Sequence, residues 1–246
     1  MHELPHGAHL RHLRRQAREL QRRTGEPLHA VQLSLARSYG FTSWAELKHA
    51  LEASQIVLEW TRHPLGKREL EAKRDAGLTP TAADLLPALR HPNPRVRFEC
   101  LGLLDHLADD DSVDAMIEAT RDPVPRVRRM AVHALGCLRC KASTSCRELN
   151  AFFLPIAEGD PVWRVRREAV IAIAQQPADD RSRAVLARLA DGDPHPDVRK
   201  QATWALRVQM GLSWAYHREL ASGARGPQPK GEADAKYRNP LRDYPC

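Results

Sequence analysis

The stretch that decides the fold is PRVRRMAVHAL, residues 125–135, because close variants of its opening phrase occur four times in the chain. Each copy has a valine, an arginine directly after it, a small residue four positions after the valine and an aliphatic residue four positions further on. The copies are PRVRFEC at 94–100, PRVRRMA at 125–131, WRVRREA at 163–169 and PDVRKQA at 196–202. Apolar side chains at i, i+4 and i+8 form one stripe of an α-helix. The phrase therefore predicts four related helices.

A second short amphipathic segment precedes each of these four helices. The segments are residues 82–90, 112–121, 149–158 and 182–190. The arginine after the valine flanks the apolar stripe, from which it can reach the turns of a stacked neighbour. The aspartates that precede a proline in the turns are expected to cap the following helices; they are Asp122, Asp160 and Asp193. The valines at 96, 127, 165 and 198 are 31, 38 and 33 residues apart, and helix pairs repeated at such a period predict a solenoid.

The pattern D-P-x-x-[RD]-V-R-x-x-A-x-x-x-L, over about residues 81–209, resembles the HEAT repeat in the short bacterial form that also occurs in phycobilisome-lyase-like proteins. The resemblance implies an all-α fold, a HEAT-like α-solenoid of about four to five helix pairs preceded by a small helical module. Such a fold mostly makes binding surfaces and does not specify a reaction. We predict a helical module at 1–54, a connecting helix or loop at 55–80, the solenoid at 81–221 and a flexible tail at 222–246.

Three helices are predicted in the N-terminal module, at residues 10–23, 28–39 and 44–53. Gly40 is expected to close the second helix, and Ser43 with Glu46 is expected to form a capping box at the start of the third. The segment LARSYGFTSWAELK at 35–48 resembles a small helical module found at the N-terminus of bacterial ankyrin-repeat and glyoxalase-related proteins. Its two aromatic residues, Phe41 and Trp44, are either a stacking platform for bases or, more commonly for such aromatics, part of a three-helix core.

Several side chains of the four repeated helices fall opposite the apolar stripe on a helical wheel. In a HEAT-like stack the second helix of each pair lines the concave surface, so these positions should face a groove. The predicted partner-binding residues are Arg95, Phe98, Arg126, Arg129, Arg164, Arg167, Lys200 and Trp204. The predicted groove is basic, in a chain with 38 Lys and Arg against 31 Asp and Glu and a net charge of +7.

This charge pattern predicts a non-catalytic scaffold whose basic groove binds an acidic protein segment. The alternative is nucleic-acid binding through the same groove and the basic helix at 10–23. No enzyme is predicted, since the chain has no P-loop, dinucleotide-binding fingerprint or nucleophile elbow. Its one His-Glu pair, His2-Glu3, does not make the paired motifs of HEAT-like di-iron hydroxylases. No membrane partner or small-molecule substrate is implied, and the cysteine usage predicts a cytoplasmic protein.

The sharpest chemical signal is a cluster of one histidine and three cysteines, His133, Cys137, Cys140 and Cys146. Four nitrogen and sulfur ligands within fourteen residues suit a closed structural zinc site. Unpaired thiols and a redox-sensitive Cys140–Cys146 pair are the alternatives. Cys100 occupies the small position that alanine holds in the other copies, so we predict that it only packs.

Overall fold

The structure, a computed structural model, describes residues 4–62, 67–137 and 148–210. Within these ranges the chain is helical and has no strand, which confirms the all-α class. The α-helices, numbered α1 to α12 in order, are Leu10–Thr24, Leu28–Ser38, Trp44–Arg62, Lys67–Asp75, Ala82–Leu85, Pro94–Leu107, Val113–Ala119, Pro125–Gly136, Asn150–Gly159, Trp163–Ala174, Asp180–Gly192 and Pro196–Gln209. Short 3-10 turns at Leu86–Arg90 and Asp110–Ser112 extend α5 and precede α7. The predicted tail at 222–246 lies outside the described residues.

Two compact units make up the chain, Met1–Ala131 and Val132–Cys246, and the division falls within α8. The first unit holds α1–α7 and the start of α8, and the second holds the end of α8 and α9–α12. All four repeated phrases form helices, namely α6, α8, α10 and α12, and each follows a shorter helical segment as the spacing predicts.

The first three helices enclose a small core of their own. Leu13 and Ala17 of α1, Val31 of α2 and Leu47 of α3 are buried together. Phe41 is 6% exposed and belongs to this cluster, and the partly buried Trp44 packs against it. Both aromatics therefore have a packing role, which favours the three-helix core over a stacking platform for bases.

The turn between α2 and α3 follows the prediction in part. Gly40 has a φ of 87°, the left-handed conformation that glycine adopts at helix ends, as predicted. Ser43 accepts a hydrogen bond from the Glu46 amide at 3.1 Å. The Glu46 carboxylate accepts chiefly from the amide and hydroxyl of Thr42, at 2.9 and 2.6 Å, with a smaller contribution from the Ser43 amide. The serine half of the predicted capping box is therefore present, and the glutamate half is directed mainly to Thr42.

The third helix is longer than predicted. α3 continues without a break from Trp44 to Arg62, so the first residues of the predicted connector are helical. Its buried side chains include Ala50, Ser54 and Val57, at the spacing of one helical face. α3 contacts α2 and also α5, α6 and the intervening 3-10 turn. The same helix therefore belongs to both the N-terminal core and the first repeat.

The second unit shows how the repeated phrase packs. The apolar stripe of α10, Val165, Ala169 and Ile173, is fully buried, and so are Val198 and Ala202 of α12. α9 contacts α10 and α11, and α12 contacts α10 and α11. A Cβ atom on Gly136, at the end of α8, would lie 2.3 Å from the Cβ of Ala172. This glycine is required by the close approach of α8 to α10.

The aspartates that precede proline do not cap helices as predicted. α10 has Val162 at its N-cap position without a side-chain bond, and α12 is capped by His195, whose Nδ1 accepts from the Asp197 amide. Asp160 and Asp193 each accept instead from the amide two residues on, at 2.9 and 2.8 Å. The carboxylates are therefore held inside the turns. Both oxygens of Asp193 also accept from an arginine.

Candidate functional site

The arginine that follows the valine in each phrase is a structural element. In the first unit, Nε and Nη2 of Arg97 donate to the two carboxylate oxygens of Asp122 at 2.6 and 2.9 Å. Its Nη1 donates to the carbonyls of His91 and Pro92, at 2.8 and 3.0 Å, in the turn before its own helix. Arg97 thus joins its own turn to the turn of the next repeat. We call such an arginine–aspartate pair a rung.

A second rung has the same geometry in the second unit. Nε and Nη2 of Arg166 donate to Asp193 at 2.8 and 2.9 Å, and Nη1 donates to the Asp160 carbonyl at 2.9 Å. Both side chains are buried, at 10% and 2% exposed. The hydrogen bonds that Arg166 donates to Asp193 raise the pKa of Arg166. Burial alone would raise the pKa of Asp193, but the hydrogen bonds from Arg166 and the His195 amide outweigh it and lower that pKa.

The predicted partner-binding residues of the first unit are all described. Arg95 is exposed and pairs with Glu99 at 2.9 Å, and Glu99 also contacts Nε2 of His6 at 2.8 Å. The Arg126 guanidinium lies 4.1 Å from the centre of the Phe98 ring, so the structure brings these two predicted residues together. Arg129 is half-buried on the same helix as Arg126.

The second unit contains a similar stack beside the other predicted residues. The Arg164 guanidinium lies 4.4 Å from the centre of the Trp163 ring. The Trp163 ring also stacks on His195, with centroids 3.7 Å apart and planes 8° from parallel. Arg164 and Lys200 are exposed and Arg167 is half-buried, but Trp204 is only 3% exposed. Its indole lies in the interior rather than on an open face, so we leave Trp204 out of the proposed surface.

Trp163 and His195 are functional candidates that the sequence reasoning missed. The tryptophan replaces the proline that begins the other three phrases, and His195 lies in the next turn. That substitution was the available signal: an aromatic residue at a half-buried first-turn position beside an arginine can hold a guanidinium.

The first unit also has an open cleft of about 1120 Å³ that the sequence did not predict. It lies between the α2–α3 turn, the turn before α6 and the segment from α7 to α8. Its charged lining side chains include two pairs, Arg90 with Glu46 and Arg97 with Asp122. The cleft therefore does not offer the surplus positive charge that an acidic ligand needs.

The histidine–cysteine cluster is described only in part. Cys137 is buried, and Nδ1 of His133 lies 2.9 Å from a carboxylate oxygen of Glu168. Histidines that bind metals usually donate their other ring N–H to such a carboxylate, so this contact fits a ligand role for Nε2. Cys140 and Cys146 lie outside the described residues. Cys100 is fully buried, donates to the Leu85 carbonyl and has a pKa raised by burial, which confirms its packing role.

Comparison with known proteins gives one match. A family model described as HEAT repeats matches residues 82–151 and 150–216. No curated protein and no solved structure matches the chain at a significant level. The matched residues begin after the N-terminal module, so its resemblance to ankyrin-repeat and glyoxalase-related proteins stays a prediction, as does the phycobilisome-lyase-like subtype. With more than half of its length matched and helix pairs at the predicted period, the chain belongs to the HEAT repeat family, whose members are generally non-enzymatic scaffolds for protein interactions.

Proposed function

We propose that this protein is a scaffold that binds an acidic segment of a partner protein through the arginines that precede the valines of its repeated phrase. The observation that carries the proposal is the stacking of Arg126 on Phe98 and of Arg164 on Trp163. A guanidinium held over an aromatic ring loses part of its conformational freedom before binding, while its N–H groups can still donate to a carboxylate.

The charges around the two stacks favour an acidic ligand. The nearby acidic side chains are engaged, since Glu99 pairs with Arg95 and His6, and Glu168 contacts His133. The exposed or half-buried cations beside them keep each surface positive. Carboxylates bind such arginines in a bidentate geometry, with two parallel hydrogen bonds, that a lysine cannot offer. The surfaces of the two units are proposed separately, one at each stack.

Nucleic acid remains the alternative ligand because of one feature of α1. Its apolar side packs in the N-terminal core, and its other faces carry the exposed arginines 11, 14, 15, 18, 22 and 23 against a single glutamate, Glu19. A phosphate backbone would use such a helix without sequence preference. No helix in the described part of the chain is long and apolar enough to cross a membrane. A cytoplasmic location stays a prediction.

The experiment compares two anionic probes on the full chain. A twelve-residue peptide that alternates Glu and Ser, and a single-stranded DNA of twelve nucleotides, are titrated by calorimetry at several salt concentrations. We expect saturable peptide binding that Arg126→Glu with Arg164→Glu, one substitution at each stack, weakens by about tenfold or more. Arg181→Glu with Arg183→Glu on α11 makes the same change in net charge and is the control. Tighter DNA binding with a steep salt dependence, lost when the α1 arginines are replaced, would establish the alternative.

We also propose a structural zinc ion at His133, Cys137, Cys140 and Cys146, on the spacing of these residues and the contact of His133 with Glu168. Four such ligands around zinc would make a closed site without catalytic chemistry. Protein purified without chelator should carry about one zinc ion per chain, and Cys140→Ser should lower this content. Metal-free protein in which every thiol can be titrated would end the proposal.

A further inference from the structure

The guanidinium of the arginine after the valine is oriented in the same way in each of the four repeats. Nη1 of Arg97, Arg128 and Arg199 donates to the carbonyls of the residues six and five positions earlier, at 2.7 to 3.3 Å. Nη1 of Arg166 donates to the carbonyl six positions earlier. These bonds fix the guanidinium against its own turn, so the direction of its other edge is set by the fold.

Arg97 and Arg166 show what that other edge binds. The Nε and Nη2 atoms of Arg97 and Arg166 donate hydrogen bonds to the aspartate of the following turn. Asp122 and Asp193 also each accept an amide from two residues on, at 2.8 Å. The chain itself thus shows the ligand that this edge binds: an aspartate before a proline, held in a tight turn.

Arg199 carries the same edge without that ligand. It lies on α12, the last helix of the described repeats, and both carbonyl contacts are present at 2.7 and 3.3 Å. In the part of the chain that the structure describes, no carboxylate lies within bonding distance of its Nε and Nη2. The side chain is half-buried and therefore reachable.

We propose that Arg199 is a binding site for an Asp-Pro turn of a partner protein, which completes a further rung at the end of the repeats. The inference rests on the proposed function and specifies one part of the acidic partner. It names the contact atoms, since both carboxylate oxygens of the partner's aspartate would accept from Nε and Nη2 of Arg199. A carboxylate matches this edge in charge and in geometry, as Asp193 does at Arg166.

A second copy of this chain does not fit as the partner through its first repeat. The position that aspartate holds in the later turns is held there by His91, which also precedes a proline. His91 is fully buried, and its Nδ1 accepts the Asn93 amide at 3.1 Å, as the aspartates accept theirs. Burial lowers the pKa of His91 to about 4, so the ring is neutral. The first turn offers no carboxylate, and copies cannot continue the rungs head to tail.

The test uses the full chain and the sequence of its own second turn as the probe. The probe is a synthetic peptide of residues 119–128, ATRDPVPRVR, whose one acidic residue is Asp122 and whose net charge is positive. A surface that binds any acidic segment would repel this peptide, whereas the Arg199 edge should accept its turn. The control peptide carries Asp122→Asn. The readout is the Nε–Hε signal of Arg199 in a spectrum of arginine-labelled protein.

We expect a saturable shift of the Arg199 signal with the aspartate peptide and binding at least about tenfold weaker with the asparagine peptide. Arg199→Gln should abolish the binding, whereas Arg164→Glu with Arg167→Glu should leave it unchanged. Equal binding of the two peptides, or of the wild type and Arg199→Gln, would overturn the proposal. A fall in Tm for Arg199→Gln as large as that for Arg166→Gln would also overturn it, because this chain would then supply the ligand itself. If the wild type bound the aspartate peptide at Arg199 but failed to bind the Glu-Ser peptide, the proposed function would be refuted and this site would not.

Discussion

Two arginines flank the valine of the third phrase, and the fold gives them opposite environments. Arg164 is exposed and lies over the Trp163 ring, whereas Arg166 is buried and donates to Asp193. Arg126 and Arg128 of the second phrase differ in the same direction, since Arg128 donates to the carbonyls of its own turn. Two positions along a helix are a rotation of about 200°, enough to move a charge from the turns to the open face. The same residue type therefore builds the repeat on one side and is available for recognition on the other.

The largest expected effect is the loss of a rung. Arg166→Gln leaves Asp193 buried with its charge unpaired, so the free energy of unfolding should fall by about 3 kcal/mol or more. Arg164→Gln removes an exposed charge two residues away and should change it by no more than about 0.5 kcal/mol. Urea unfolding of the two variants, followed by circular dichroism, measures both.

Equal falls in the free energy of unfolding for the two variants would show that Arg164 and Arg166 do not have different roles.

Acid offers an independent check of the same rung. Because the pKa of Asp193 is lower in the folded chain than its ordinary value of 3.8, the carboxylate stabilises the fold fully above that pH. The stabilisation should disappear as the pH falls through the depressed pKa, and Arg166→Gln should remove this part of the acid sensitivity.

The turn before α6 has His91 in the place of the aspartate, and its contribution to the free energy of unfolding should depend on pH in a different range. The pKa of His91 is about 4 in the folded chain against 6.5 as its ordinary value, so the unfolded chain binds more protons between these values. The free energy of unfolding should therefore rise with pH from about 4 to 6.5, by up to about 3 kcal/mol, and then level off.

His91→Asn removes this titration and retains an oxygen that can accept the Asn93 amide, as aspartate does in the later turns. We expect a flatter pH dependence of unfolding in this variant. His12→Asn, on an exposed position of α1, controls for the loss of one imidazole. A pH dependence that survives in His91→Asn would assign it to another group.

Two helical glycines sharpen the contrast between packed and open faces. A Cβ on Gly136 would lie 2.3 Å from the Cβ and 2.9 Å from the Cα of Ala172, so Gly136→Ala should destabilise the protein by about 1–3 kcal/mol. Gly102 of α6 has nothing within 4 Å of such a Cβ, and Gly102→Ala should stabilise by about 0.5–1 kcal/mol. Thermal unfolding of the pair gives the comparison, and a neutral Gly136→Ala would show that α8 and α10 can separate at no cost.

The sequence predicted the helices well because their signals are local. The stripe of Val165, Ala169 and Ile173 at helical spacing is buried as expected, and Gly40 ends a helix as glycine commonly does. The role of the arginine after the valine was also foreseen in outline. Its ligand was not, because Asp122 and Asp193 were assigned to caps, and only the packing of one turn on the next shows that they face an arginine.

The candidate site was harder to predict than the fold. A helical wheel places Trp204 opposite the apolar stripe, but its environment depends on neighbouring elements that a single helix does not reveal. Conversely, Trp163 was not among the predicted site residues, although its stack with Arg164 and His195 became a main feature of the second unit. Long-range contacts such as that of His6 with Glu99, 93 residues apart, leave no periodic signal in the sequence.

The central claim is that one set of arginines binds a partner while the other holds the repeats together. The most direct measurement is a calorimetric titration of the Glu-Ser peptide, at a temperature where all variants are folded, into the wild type, Arg126→Glu with Arg164→Glu, and Arg166→Gln. We predict that the double variant loses binding without a fall in Tm, and that Arg166→Gln loses Tm and retains binding. Undiminished binding by the double variant, together with a Tm as low as that of Arg166→Gln, would contradict the account.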